Sequence, residues 1–360
     1  MTRNIAKESA AGRAAAVRTG RSMRKVVKFG GSSLADADHF RQVAQIILSD
    51  KDRHYVVASA PGKRYSADTK VTDMLYRCFE MVRNHESIDE YYEQIKARYN
   101  GIIADLGLDF DIDGELEYVK NAMCHASGRD FAASRGEYLN GHIMAAYLGY
   151  EFIDAAEVVF FTGHGVLDTE KTNTVMAKRL QKYGSAVIPG FYGSRPDGSI
   201  KTFSRGGSDI TGSLVARAVD ADIYENWTDV SGFMVTDPRI VPETQAISFI
   251  TYKELRELSY MGATVLHEDA IFPVRYSKIP INIRNTNAPD DKGTWIVEST
   301  CQKSKYVITG IAGKKGFSVI TIEKAMETIS ERYGVRFMFC RPEESAKIIL
   351  ETIKTWKTVV

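Results

Sequence analysis

The stretch Val26-Val27-Lys28-Phe29-Gly30-Gly31-Ser32-Ser33 decides how this chain is read. A short apolar run ends in a lysine, two glycines and two hydroxyls follow, and a helix-compatible segment runs from Leu34 to Leu48. Such an order builds an anion site at a strand-to-helix turn. Glycines let backbone N–H groups approach a phosphate, the helix N-terminus adds partial positive charge, and lysine supplies a full one. The spacing is neither the G-x-x-x-x-G-K-[ST] of a Walker A loop nor the G-x-G-x-x-G of a dinucleotide fold.

A second loop of the same logic lies about 175 residues downstream. Thr202-Phe203-Ser204-Arg205-Gly206-Gly207-Ser208-Asp209 opens a helix expected from Ile210 to Val219. It offers glycines at a helix N-terminus, a hydroxyl, one cation and a carboxylate. Two such entries suit a polyphosphate gripped from both sides. Phosphoryl transfer of this kind rests on positioning and charge neutralisation, with Mg²⁺ assisting, and needs no covalent protein nucleophile. None is evident: there is no G-x-S-x-G and no Cys/His pair. A third element, Trp227-Thr228-Asp229-Val230-Ser231-Gly232-Phe233-Met234-Val235-Thr236-Asp237-Pro238-Arg239, is a turn-rich loop after a strand. Ligands bind at the C-terminal ends of strands in open α/β sheets, so its Asp and Thr residues are candidates for holding base, ribose or metal.

Around these loops the chain alternates strand and helix. His54–Ala58 and Ala186–Pro189 are apolar strand runs, as are Phe152-Ile153, Val158-Val159-Phe160, Ile223–Trp227 and Ile281–Arg284. Helices are expected over Ser134–Leu148, Lys171–Tyr183, Gly207–Ala221, Tyr252–Met261 and Glu268–Tyr276, and residues 68–123 read as a helical layer. This alternation predicts an α/β fold with a mainly parallel sheet covered on both faces.

Bulk properties agree with an enzyme acting on small molecules. The chain has 360 residues, 44% hydrophobic and 26% charged, with net charge +1. Nothing global attracts nucleic acid or anionic membrane, and no apolar run is long enough to span a bilayer. Four scattered cysteines read as reduced thiols of a cytoplasmic protein. The seven histidines do not cluster, so a dedicated zinc site is not expected. Residues 1–22 are basic and alanine-rich, read either as a transit-type leader or as a disordered extension upstream of Met23.

The quoted motifs, together with Gly262–Val274 (GATVLHEDAIFPV) and Ile283–Ile296 (IRNTNAPDDKGTWI), resemble the aspartokinases of the amino-acid kinase superfamily over residues 23–300. The resemblance implies a three-layer α/β/α sandwich. It implies phosphorylation of the β-carboxylate of L-aspartate by ATP with Mg²⁺, giving 4-phospho-L-aspartate, the entry to lysine, threonine, methionine and isoleucine synthesis. By position it puts Lys28 on the transferring phosphoryl, with Phe29, Gly30, Gly31 and Ser32 in the nucleotide loop and Gly206 and Gly207 at the phosphates. Asp209 would orient Lys28, while Arg205, Ser208, Thr72 and Glu137 would hold the amino acid. Thr228, Asp229, Met234, Asp237 and Arg239 would line the nucleotide site. Ser32 stands where the family usually has Thr, keeping the hydroxyl, and Thr264 stands where some members carry a lysine.

Glu137 has a second reading, since Ser134-Arg135-Gly136-Glu137 has the pattern of a helix capping box. Lys305–Lys324 resembles the start of an ACT regulatory module, so residues 305–360 are expected as a partial ACT-like α+β piece. The family normally carries two such modules, so weak or absent lysine sensitivity is expected, and a homodimer is left open. The competing readings are a glutamate, acetylglutamate or uridylate kinase of the same fold, whose loops fit less well, and a non-catalytic amino-acid-sensing subunit.

Overall fold

The structure is a computed structural model, and it describes residues 23–125, 128–204, 206–260, 266, 268–299 and 308–312. In chain order the elements are β1 (Lys25–Phe29), α1 (Ala37–Leu48), β2 (Arg53–Ala58), α2 (Val71–Arg83), α3 (Asp89–Leu106), α4 (Asp113–Cys124) and α5 (Arg129–Leu148). There follow β3 (Glu151–Phe152), α6 (Ala155–Val158), α7 (Thr169–Leu180), β4 (Ala186–Pro189), β5 (Tyr192–Ser194), β6 (Ile200–Thr202) and α8 (Gly207–Ala218). The last are β7 (Ile223–Thr228), β8 (Phe249–Thr251), α9 (Tyr252–Tyr260), α10 (Glu268–Tyr276), β9 (Ile281–Asn285) and β10 (Thr294–Val297).

Eight strands form one sheet in the order β3-β4-β2-β1-β7-β9-β10-β8, and β5–β6 is a separate hairpin. All pairings in the large sheet are parallel except β9–β10. The strands are apolar on both faces because each face carries its own helical layer. Successive side chains point to opposite faces. Val26, Tyr55, Val57, Ala186 and Ile188 therefore join the core under α7, α8 and α10. Val27, Val56, Ala58 and Val187 join the core under α1–α5. The sandwich is thus three layers, as expected. In β1, the same alternation sends Lys28 toward the α8 face.

Several local expectations change. The first helix starts at Ala37, with the Asp36 side chain accepting the His39 N–H at 3.1 Å, and a 3₁₀ turn (Gly31–Leu34) precedes it. Of Val158-Val159-Phe160, Val158 ends one helical turn (Ala155–Val158) capped by Asp154, whose side chain accepts the Ala156 N–H, and only Phe160 makes a β-bridge, to Ser194 of β5. Helix α5 begins at Arg129, not Ser134. Ser134 consequently lies inside the helix, its hydroxyl donating to the Phe131 carbonyl at 2.7 Å, and the capping-box reading of Glu137 is excluded.

Within the segment expected to be ACT-like, only residues 308–312 are described, and there the Ile311 N–H donates to the Val235 carbonyl at 2.7 Å. Residues 1–22 and 313–360 lie outside the described residues. Among the described residues no helix is long and apolar enough to cross a membrane.

Candidate functional site

The two glycine loops meet. Lys28 leaves the C-terminal end of β1 toward α8, and its Nζ lies 2.6 Å from Oδ1 of Asp209 in the first turn of α8. Lys28 is 8% exposed, so it is withdrawn from bulk water and held at one position. The Asn226 amide, one strand over on β7, donates to the same Asp209 oxygen at 2.8 Å. The Tyr224 hydroxyl donates to the Asp209 backbone carbonyl at 3.2 Å, which seats the helix terminus on β7. A cation held by one carboxylate, itself fixed by Asn226, suits charge developing on a bound anion.

The backbone around this pair is packed closely. Gly30 N–H donates to the Trp227 carbonyl at 3.1 Å, and Gly62 N–H to the Gly31 carbonyl at 2.8 Å, joining the ends of β1, β2 and β7. A Cβ on Gly62 would lie 2.6 Å from the Gly31 carbonyl, so only glycine permits that approach. The turn after β4 presses on the second loop in the same way: a Cβ on Gly190 would lie 2.5 Å from Ser208 Oγ. Gly206 caps α8 without any side-chain hydrogen bond. The first amides of a helix lack intrahelical partners, so Gly207, Ser208 and Asp209 present N–H groups beside Lys28. The 3₁₀ turn begun by Gly31 and Ser32 does the same from the other side.

Glu137 lies in the middle of α5, 6% exposed, with Oε2 lacking any hydrogen-bond partner. Burial pushes its carboxyl up to about 8, opposed by backbone N–H groups, including that of Ala60 after β2, and by the Arg135 charge. Thr72, in the first turn of α2, faces the same helix, with its Oγ1 3.7 Å from where a Gly136 Cβ would stand. Thr72 thus packs against α5 at Gly136, and the neighbouring Glu137 meets the 59–62 turn at the Ala60 N–H.

Thr228 ends β7, its carbonyl accepting the Thr286 N–H at 2.8 Å, and its hydroxyl donates to Asp229 at 3.2 Å. Ser33 and Thr286 share a buried hydroxyl pair at 2.7 Å, tying the first loop to the segment after β9. Met234 bridges to Ala246. Asp237 and Arg239 stand on an exposed turn and pair with each other at 2.6 Å, which holds the Asp237 carboxyl below its ordinary value. These contacts do not join Met234, Asp237 and Arg239 to the Lys28 recess. Arg205 and Thr264 lie outside the described residues.

Three supporting residues escaped the sequence reading. Asn226 carried a signal, being polar inside an apolar strand. Arg98 carried one too, interrupting the stripe Tyr92, Ile95, Tyr99, Ile102. Its guanidinium donates to the Ala35 and Gly62 carbonyls, both at 2.8 Å, and to Asp68 at 2.9 Å. Thr286 carried none, since its partner is more than 250 residues away.

The model of the amino acid kinase family matches residues 23–285. Aspartokinase 3 of Bacillus subtilis is 37% identical over 327 residues, 87% of this chain and 72% of that protein. Chloroplastic aspartokinase 2 of Arabidopsis thaliana is 32% identical, over 84% of this chain and 60% of its own length. The crystal structure of Clostridium acetobutylicum aspartate kinase matches with a TM-score of 0.79 at 47% identity, covering 93% of this chain and 82% of that one. Escherichia coli aspartokinase III, solved with aspartate and ADP, matches at TM-score 0.68 and 28% identity over 77% of this chain and 65% of its own. On the family model and on these relatives alike, the chain belongs to the amino acid kinase family and, within it, to the aspartokinases.

Proposed function

We infer that the chain transfers the γ-phosphoryl group of ATP to the β-carboxylate of L-aspartate, giving 4-phospho-L-aspartate and ADP. The observation that carries this is the 2.6 Å pairing of Lys28 with Asp209, which brings two glycine-rich helix entries, distant in sequence, to one recess. A carboxylate oxygen attacks the γ-phosphorus, and the bond to the bridging oxygen breaks toward ADP. The nucleophile is already ionised at neutral pH, so no protein base is required and none need be sought.

On this reading Lys28 neutralises charge on the transferring group, and Asp209 and Asn226 hold its ammonium in place. The amides of Gly30, Gly31, Ser32, Gly206 and Gly207 face the phosphates. Glu137 and Thr72 receive the amino end of aspartate, while Arg205 and Ser208 take its carboxylates. Thr228 and Asp229 border the nucleotide, and Met234, Asp237 and Arg239 form its outer turn. Magnesium bound with the nucleotide would supply further neutralisation of phosphate charge. Mg²⁺ is commonly held by substrate phosphates plus one or two carboxylates. Residues 23–300 form the catalytic domain, and residues 305–360 a partial ACT-like regulatory region.

The test is acyl phosphate formation with Mg-ATP, trapped as the hydroxamate, with aspartate, glutamate and UMP compared as acceptors. Aspartate-dependent product that is lost in Lys28→Ala is the expected result. Preference for another acceptor, or undiminished activity in Lys28→Ala, overturns the assignment.

A further inference from the structure

A second cavity, of about 700 Å³, opens between the N-terminal turn of α5 and the β5–β6 hairpin, and Arg129, Arg135, Arg195, Asp130 and Asp154 line it. Of its lining residues only Arg135 is fully buried, at 2% exposed. Its guanidinium is stacked among the rings of Phe131, Tyr138 and Tyr192 at 4.4–4.9 Å, and Nε donates to Ser134 Oγ at 3.0 Å. Nη2 is buried and has no partner.

The two acids of the cavity are already engaged. Asp130 accepts from Lys201 at 3.1 Å and from Thr202 at 2.8 Å. Asp154 accepts from the Tyr192 hydroxyl at 2.6 Å and the Ala156 N–H at 2.9 Å. The other two arginines make no close salt bridge among the described residues, although the exposed Asp197 on the hairpin feels the Arg195 charge. Arg129 lies 4.0 Å over the Tyr76 ring, and Arg195 donates only to Ser199 Oγ and the Ile200 carbonyl. Three arginines and Lys201 against Asp130, Asp154 and Asp197 leave one positive charge in excess. Gly128, the N-cap of the 20-residue α5, supplies no side-chain acceptor, so the helix terminus adds its own positive end.

We propose that this cavity binds a small dianion, a phosphate monoester or a dicarboxylate, between Arg135, Arg195 and the first turn of α5. Burying a guanidinium without a counter-ion is costly, and a planar oxyanion fork is its natural partner. The site is separate from the substrate recess. Residues two apart on a helix point about 200° apart, so Arg135 faces the hairpin while Glu137 faces the 59–62 turn. The proposal goes beyond the kinase reading and stands without it, because the cavity uses none of the residues given to ATP or aspartate.

The experiment is isothermal titration of the full chain with inorganic phosphate and, separately, with succinate, each in saturating Mg-ADP. Wild type, Arg195→Ala and Arg135→Met are compared. Arg195 lies on a surface hairpin, so its variant reports even if Arg135→Met does not fold. The expected result is a binding component weakened at least about fivefold in Arg195→Ala and lost in Arg135→Met, matching the loss of a charge-assisted hydrogen bond. Tighter binding of phosphate assigns a phosphorylated ligand, and tighter binding of succinate a carboxylate. No binding of either anion, or equal binding in wild type and Arg195→Ala, overturns the proposal.

Discussion

Lys28 Nζ and Asp209 Oδ1 lie 2.6 Å apart across 180 residues of chain, joining the end of β1 to the first turn of α8. The contact follows from the pleat. Val27 and Phe29 point into the core beneath α1–α5, so Lys28 between them must point to the α8 side. The Asn226 amide and the Tyr224 hydroxyl then fix Asp209 from β7.

Replacing Lys28 by Ala should lower kcat about 10²–10³-fold, the usual cost of removing one preorganised transition-state donor. Asp209→Asn should cost less, since its side-chain oxygen can still accept from Asn226 and Lys28. Hydroxamate-trapping kinetics measure both, with thermal melts to show that each variant is folded. Equal kcat in Lys28→Ala and wild type would mean that the cation does not face the reacting group.

Glu137 should make aspartate binding proton-linked. Burial holds its carboxyl near 8, against an ordinary glutamate value of 4.5, so at neutral pH the free protein keeps the proton. An incoming ammonium favours the ionised form. Aspartate binding should therefore release a proton below about pH 8, and KM should fall as pH rises toward that value. Calorimetry in buffers of different ionisation enthalpy detects the proton. Glu137→Gln should abolish the release and raise KM, and wild-type binding without proton release would refute the linkage.

The same residue fixes the sign of a stability effect. Between about 4.5 and 8 the folded protein binds the Glu137 proton while the unfolded chain has lost it. The unfolded state thus binds fewer protons, and stability falls as pH rises through that window. In urea melts, Glu137→Gln should gain on wild type progressively from pH 5 to pH 8. A constant difference across that range would mean that the carboxyl is not perturbed by burial.

How much of this was legible in the sequence depends on range. The glycine loops, the apolar strands and the helical layer are local signals, and they appear where the residues place them. Ser134 misled because its capping pattern is also local, whereas the start of α5 at Arg129 is set by packing on the sheet and on α2 and α4. Glu137 could be singled out in the sequence, but its unpartnered Oε2 could not, because that depends on how other elements, the Ala60 turn among them, pack on α5. Gly190 was read only as the end of a strand run. Its contact with Ser208 exists only once β4 lies beside β2 and the second loop folds over it.

That contact gives a clean test of the second loop. Gly190→Ala introduces a methyl group 2.5 Å from Ser208 Oγ, and the turn is tied to β2 through its N–H donating to the Ala58 carbonyl at 2.9 Å. The loop must therefore move. An ångström-scale displacement of a positioning loop commonly costs about 10²-fold in rate, so kcat/KM for aspartate should fall by that order. Overpacking costs about 1–3 kcal/mol of stability, so the protein should remain folded. Unchanged kcat/KM would show that Ser208 does not touch substrate.

The sheet itself is held by a charge cluster beneath the site. Glu225, 2% exposed on β7, accepts from Arg53 Nε at 2.9 Å and Trp227 Nε1 at 3.0 Å, with Lys25 at 3.6 Å and Arg284 at 4.0 Å. Arg53 and Arg284 also lie against the Trp227 ring, at 5.2 and 4.6 Å. One carboxylate thus answers cations from β1, β2 and β9, the strands flanking β7 and the next one out. Its removal leaves Arg53 buried without its carboxylate, while Lys25 keeps Asp50, and breaking a comparable buried pair costs about 3–5 kcal/mol. Glu225→Ala should shift the urea midpoint accordingly, while Asp237→Ala, which breaks only the exposed pair with Arg239, should leave it unmoved. A Glu225→Ala protein as stable as wild type would mean that the surrounding hydrophobic layers, and not this carboxylate, set the register of β1, β2, β7 and β9.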